Sequence, residues 1–201
     1  MREAVRVRFC GTGGQGVLLM GSLLGDAAVR DGLWAGGSST YGTQARGGAC
    51  RADVVLAREA ADYPHVDEAD LLVAMSQEAY AAWLPEVRPD GLVLCDHPPV
   101  VPVPGDARLH LRVPATRTAV EALGIRQAAN VVLAAAAVAL TRLIAEEAFT
   151  SAVEAGAPPG FRETNRRALA AGFSLGHAAR GEAGVALAAW AERLGLPGQE
   201  G

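Results

Sequence analysis

The sequence predicts an α/β chain: a three-layer, mostly parallel, Rossmann-like sheet covered by helices, with a helical C-terminal part. Three observations carry that expectation. Segments with strand character alternate with helix-like segments along the first 125 residues, the pattern of a parallel sheet with crossover helices. Leu71 to Met75 is apolar on both faces, as a central strand between two helical layers should be. The chain has 201 residues, half of them apolar and a fifth charged, which suits one α/β domain with a sizeable core. The domain reading is a single α/β domain over 1–182 and a helical tail over 183–201.

The elements follow in order. Val5, Val7 and Phe9 alternate with Arg6 and Arg8 and run into Gly11, a first strand. Val17 to Val29 is a long apolar helix, closing at Asp31-Gly32. A short second strand is expected over Leu33 to Ala35. Gly36 to Gly48, rich in glycine and hydroxyl side chains, is expected to be neither helix nor strand. Strand character returns at Ala49 to Ala57 and at Leu71 to Met75. A helix over Gln77 to Leu84 and a strand over Leu92 to Cys95 come next. Asp96 to Arg108 is proline-rich and must be extended loop. A strand at Leu109 to Val113 leads to a helix from Thr116 to Leu123. Helices then cover Ala128 to Ile144, Glu146 to Glu154 and Phe161 to Ala179.

Composition narrows the function. Net charge is −4, with no basic footprint for nucleic acid. All 18 basic residues are arginine, so lysine chemistry is excluded. Cys10, Cys50 and Cys95 lie far apart with no CxxC pair and make neither a disulfide scaffold nor a four-cysteine cluster site. His65, His97, His110 and His177 are dispersed, without metal-site spacing. No segment reads as a signal peptide or a membrane span, and the expected location is cytoplasmic. No catalytic residue and no metal ligand is assigned.

Two loops stand out. Gly11-Thr12-Gly13-Gly14-Gln15-Gly16 fits G-x-G-x-x-G between a strand and a helix. Glycines there allow close backbone approach, and the free N–H groups opening the helix form an anion site. Gly13 is the expected point of backbone constraint. Ordinary dinucleotide binding also needs an acidic residue about 20 positions on to hold the ribose. Gly32 through Ala52 contains no Asp or Glu. The second loop holds Tyr41, Arg46, Gly47 and Gly48, and Arg46 could grip a phosphate or carboxylate, or tie the loop to backbone or a partner. Loops after the first two strands should face one crevice at the carboxyl edge.

Gly-x-Gly-Gly-Gln-Gly, then Tyr-Gly-x-x-x-Arg-Gly-Gly, then Tyr63-Pro64 and Ala69-Asp70-Leu71-Leu72-Val73, resembles the gamma subunit of 2-oxoacid:ferredoxin oxidoreductases. The likeness continues to Asn130, Asn165 and Gly172, so it covers nearly the whole chain. Similar chains include gamma subunits for 2-oxoglutarate, pyruvate and branched-chain 2-oxoacids, and the small subunit for indolepyruvate.

The resemblance implies oxidative decarboxylation of a 2-oxoacid to an acyl-CoA in a complex with alpha and beta subunits, in some cases delta, and with ferredoxin as acceptor. Thiamine diphosphate, magnesium and iron–sulfur clusters would sit on those partners, with no cofactor on this chain alone. CoA could approach the glycine turn. Gly11, Gly13, Gly14, Gln15 and Gly16 would form the anion-binding turn, and Tyr41, Arg46, Gly47 and Gly48 the signature loop. The Gly13 to Leu24 segment favours 2-oxoglutarate, and the isolated chain should be inactive. Two other readings stay open: a stand-alone nucleotide-binding enzyme, and an assembly module without ligand.

Overall fold

The computed structural model describes residues 4–40, 48–61 and 65–196. Six strands form one sheet in the order β2-β3-β1-β4-β5-β6. They are β1 (Val5–Thr12), β2 (Trp34–Thr40), β3 (Ala49–Ala57), β4 (Ala69–Ala74), β5 (Val87–Asp96) and β6 (Leu109–Val113). The helices are α1 (Val17–Arg30), α2 (Gln77–Trp83), α3 (Ala115–Glu121), α4 (Ala129–Thr141), α5 (Glu146–Gly156) and α6 (Arg162–Arg193). The expected α/β layers are present, with a parallel half, β1-β4-β5-β6, and an antiparallel half in which β3 lies between β1 and β2.

One expectation fails at the second strand. β2 does not stop at Ala35; it runs on to Thr40, so residues 36–40 are strand and not loop. Gly36 to Thr40 pair in register with Val55 to Arg51 of β3. Backbone pairing with a neighbour outweighs the weak strand preference of Gly and Ser, because ladder bonds need no side chain. Residues 41–47, with Tyr41, Arg46 and Gly47, lie outside the described residues, as does Tyr63-Pro64.

The two sheet faces are covered unequally. Val5, Val7 and Phe9 point into a large core shared with α1, α3, α4, α5 and α6. Cys10, Leu72, Val93 and Cys95 point the other way, against Ala79 and Tyr80 of α2 and Val100 of the proline-rich segment. Tyr80 anchors that segment: its buried hydroxyl accepts from the Val103 amide at 3.0 Å.

Arg8 alternates with the apolar residues of β1, yet it is fully buried on this second face. Its guanidinium forks onto Asp53, with Nε to Oδ1 at 2.7 Å and Nη2 to Oδ2 at 2.9 Å. It also donates to Glu86 and to the Val66 carbonyl. Trp83 lies under Arg8 and Arg51, 5.4 and 4.4 Å from the ring centroid. Complete pairing is what makes a buried charge tolerable.

The last expected helix and the start of the expected helical tail run together as α6. α6 continues past Ala179 and is broken at Gly184 (φ 46°, ψ −120°). Before the break it packs on α4 through Gly172 and Gly176. A Cβ on Gly172 would strike the Val132 carbonyl and lie 2.6 Å from the Ala135 Cβ. A Cβ on Gly176 would strike the Ala136 carbonyl. Backbone-to-backbone contact of this kind cannot yield to a side chain without moving a helix.

Gly172→Ala should therefore lower unfolding stability by about 1–3 kcal/mol through overpacking. Gly181→Ala in the same helix has no heavy atom within 4 Å of the new Cβ. It should be neutral or stabilising, by up to about 1 kcal/mol. Urea unfolding of both variants checks the contrast; equal effects would remove the close-packing explanation.

Candidate functional site

β2 is antiparallel to β3, and β3 to β1, so β1 and β2 end at the same sheet edge as β4, β5 and β6. The glycine turn therefore sits beside Ala49, where the chain re-enters the sheet, and β3 lies between it and Thr40, where β2 ends. Thr12 pairs with Ala49, and the Gly13 amide donates to the Gly48 carbonyl at 3.2 Å.

The turn holds its own shape. Gln15 Oε1 accepts from the Thr12 amide at 2.7 Å and from the Thr12 hydroxyl at 3.0 Å. Its Nε2 donates to the Met75 carbonyl just beyond β4, at 3.3 Å. Both ends of this side chain are engaged within the protein, so Gln15 acts on the site by fixing the turn. The left-handed backbone falls at Gly14 (φ 93°) and Gly16 (φ 76°), not at Gly13.

Gly16 is the N-cap of α1 and offers no capping side chain; the first turn carries no acid. The Met20 amide is the first to bond back, to the Gly16 carbonyl at 3.1 Å. The amides of Val17, Leu18 and Leu19 thus have no intrahelical acceptor, and the positive end of the helix suits an anion.

Asn130, the first polar residue of α4, stands behind this turn and is only 7% exposed. Its Oδ1 accepts from the Val131 amide at 2.7 Å. Its Nδ2 lies so close to Gly16 that a Cβ there would collide with it. Asn130 also lines a cavity of about 250 Å³ beside the start of α1. Gln127, Thr164 and Asn165 add neutral polar groups to that cavity, and half-exposed Leu19 and Phe161 add apolar ones. The sequence marks Asn130 and Asn165 only through the resemblance, since a single amide on apolar α4 or in the charged start of α6 carries no signal of its own. The helix end and the cavity can together take an anionic group joined to an uncharged chain.

A family model described as pyruvate ferredoxin/flavodoxin oxidoreductase matches residues 6–175. The chain belongs to this family. It is 40% identical over 182 residues to the 2-oxoglutarate synthase subunit KorC of Methanothermobacter marburgensis, covering 87% of this chain and 97% of that one. The crystal structure of the keto/oxoacid ferredoxin oxidoreductase gamma subunit from Geobacter sulfurreducens is similar, at 33% identity and a TM-score of 0.80, over 88% of this chain and 98% of that one. The fold also resembles part of the 2-oxoglutarate:ferredoxin oxidoreductase from Magnetococcus marinus, with a TM-score of 0.78 and 22% identity. That match takes in 89% of this chain and 32% of the other.

In this member of the oxidoreductase family the three cysteines are separated by the sheet. Cys10 and Cys95 lie on the α2 face and Cys50 on the opposite one. Burial pushes the Cys10 and Cys50 thiols above their ordinary range and the Cys95 thiol up to about 12. Among the described residues no group of three or more His, Cys, Asp and Glu could hold a metal ion. His110 bonds to the Tyr80 hydroxyl at 3.0 Å and His177 pairs with Glu146 at 2.9 Å, far from the turn. No helix among the described residues is long and apolar enough to cross a membrane.

Two outcomes follow. Gly16→Ala should cost about 1–3 kcal/mol, because it forces a left-handed backbone and a clash at once. Adding Asn130→Gly should recover the clash but not the backbone share, giving a positive coupling in the double-mutant cycle; strict additivity would break the Gly16–Asn130 link. Native chain at pH 8 should react with a thiol reagent at none of its three buried cysteines, and with all three in denaturant. Rapid native labelling would contradict their burial.

Proposed function

We propose that this chain is the gamma-type subunit of a 2-oxoacid:ferredoxin oxidoreductase, with 2-oxoglutarate as the substrate of the whole enzyme. The observation that carries the reading is the identity to a 2-oxoglutarate synthase subunit over nearly all of that subunit's length. The complex would decarboxylate the 2-oxoacid oxidatively, form an acyl-CoA and pass electrons to ferredoxin. Alpha and beta subunits, with delta where present, would carry thiamine diphosphate, magnesium and iron–sulfur clusters. The scattered, individually buried cysteines of this chain support that division of labour. A cytoplasmic location goes with it.

Within the complex, the chain's part is to receive CoA. The free amides of Val17 to Leu19, presented by Gly11, Gly13, Gly14, Gln15 and Gly16, would hold an anionic end of CoA. The neutral cavity beside Asn130 suits the uncharged, amide-bearing part of the same molecule. Arg46, with Tyr41, Gly47 and Gly48, would supply a positive charge for the same anion. This chain orients and binds; the chemistry happens on its partners.

The reconstituted complex tests this. The chain alone, given 2-oxoglutarate, CoA, thiamine diphosphate, magnesium and a viologen dye, should show no turnover; activity without partners would defeat the subunit reading. In the full complex Arg46→Ala should raise the KM for CoA roughly ten- to more than a hundred-fold, the worth of one charged hydrogen-bond partner. The KM for the 2-oxoacid should hardly move. Unchanged CoA kinetics with dissociation of the complex would make the loop an assembly element instead.

A further inference from the structure

An ordinary helix cap is an acceptor: a Ser, Thr, Asp or Asn oxygen at the N-cap takes one of the free amides of the first turn. At the start of α1 that side chain is missing, because the N-cap is Gly16. An atom from another helix stands in its place. A Cβ on Gly16 would strike the Asn130 Nδ2, while Cγ and Cβ of Asn130 would lie farther off, at 3.1 and 3.5 Å. The amide nitrogen is therefore the end of Asn130 aimed at the turn, and it is a donor set beside donors.

The far side of the carboxamide fixes this orientation. Oδ1 accepts from the Val131 amide at 2.7 Å, so the atom at Gly16 is the NH2 group, which can only donate. Among the described residues no group accepts from it. Asn130 is only 7% exposed, and what is open of it lines the cavity shared with Leu19, Gln127 and Asn165. A donor buried to this degree without an acceptor is costly and calls for a partner.

The groups next to it do not supply one. The Val17, Leu18 and Leu19 amides are donors too, and the first turn of α1 carries no acid. The Gln15 carbonyl oxygen is already taken by the Thr12 amide and hydroxyl. The Gly16 carbonyl accepts from Met20. Helix end and buried amide thus ask for the same thing, a group that only accepts.

We infer that Asn130 is a binding residue of the anion site, its Nδ2 donating to the same phosphate that meets the Val17 to Leu19 amides. The inference rests on the reading that the start of α1 takes an anionic part of CoA, and it adds an uncharged donor delivered from α4. Donors that converge from two helices suit a group with several acceptor oxygens spread around one centre, as on a phosphate. Gly16 then meets two needs at once: a left-handed backbone (φ 76°) and room for the amide.

Calorimetric binding to the reconstituted complex, without 2-oxoacid, tests it with the two halves of CoA as separate probes: phosphoadenosine diphosphate, which carries the phosphates, and pantetheine, which is uncharged. Asn130→Ala removes the donor and should weaken the nucleotide half about tenfold, the worth of one hydrogen bond to a charged group. Asn130→Asp keeps an oxygen for the Val131 amide but sets a negative charge at the turn, and should weaken it roughly a hundredfold. Pantetheine binding should change less than about twofold in both. Equal loss for pantetheine would give the amide to the uncharged arm and overturn the inference. Unchanged nucleotide binding in both variants, with weaker binding in Arg46→Ala, would overturn it and leave the CoA reading standing. Unchanged binding in all three variants would overturn that reading as well. Either Asn130 variant alone separates these outcomes, so a folding defect in one does not void the test.

Discussion

Everything in this domain is arranged around α4, a helix with no exposed side. All 13 of its residues are buried, most of them Ala, Val or Leu. A helix apolar all round has to be enclosed, and here the sheet lies on one side and α6 on the other. Gly172 and Gly176 let α6 come down onto the carbonyls of α4, and the small Ala135 and Ala139 side chains leave room for it. The depth at which α4 sits then fixes Asn130 at its first turn, and Asn130 meets Gly16. A packing constraint in the core thus reaches the glycine turn through one buried amide.

The second face works by a different principle. Where α4 secures one side of the sheet with apolar contact, the other side joins β1 to β3 with charge: Arg8 binds Asp53 with both arms of its fork. Such a pair adds little net stability compared with apolar packing, but losing one partner strands the other and costs about 3–5 kcal/mol. Its geometry is also selective. Arg8 lies opposite Asp53 in the antiparallel register, so a one-residue slip would separate the charges and turn them to opposite faces. That register also brings Ala49, where the chain re-enters the sheet, against Thr12 at the glycine turn.

Most of the fold is legible from periodicity. β1, β3, β4, β6 and the starts of α1 and α5 lie close to where apolar patterning puts them. What the pattern misses is physical in origin. Gly36 to Thr40 have loop-like side chains, and only the partner strand makes them a strand. Arg8 has the look of a solvent-facing alternate, because a sequence cannot show that Asp53 and Glu86 wait 45 and 78 residues away. The glycine motif marks the turn, yet the lack of room for a side chain at Gly16 comes from Asn130, more than a hundred positions on. The cavity residues Gln127, Thr164 and Asn165 have no local signature, since tertiary packing alone gathers them. Arg46 and Tyr41 stand out only as parts of a sequence motif.

The proposed role rests on the N-terminus of α1 meeting an anionic part of CoA in the assembled enzyme. A structure of the whole complex with CoA bound tests it most directly. It should show a CoA phosphate within hydrogen-bond reach of the Val17 to Leu19 amides, with the uncharged arm passing the Asn130 cavity. A partner chain packed over the glycine turn, with CoA held elsewhere, would contradict it.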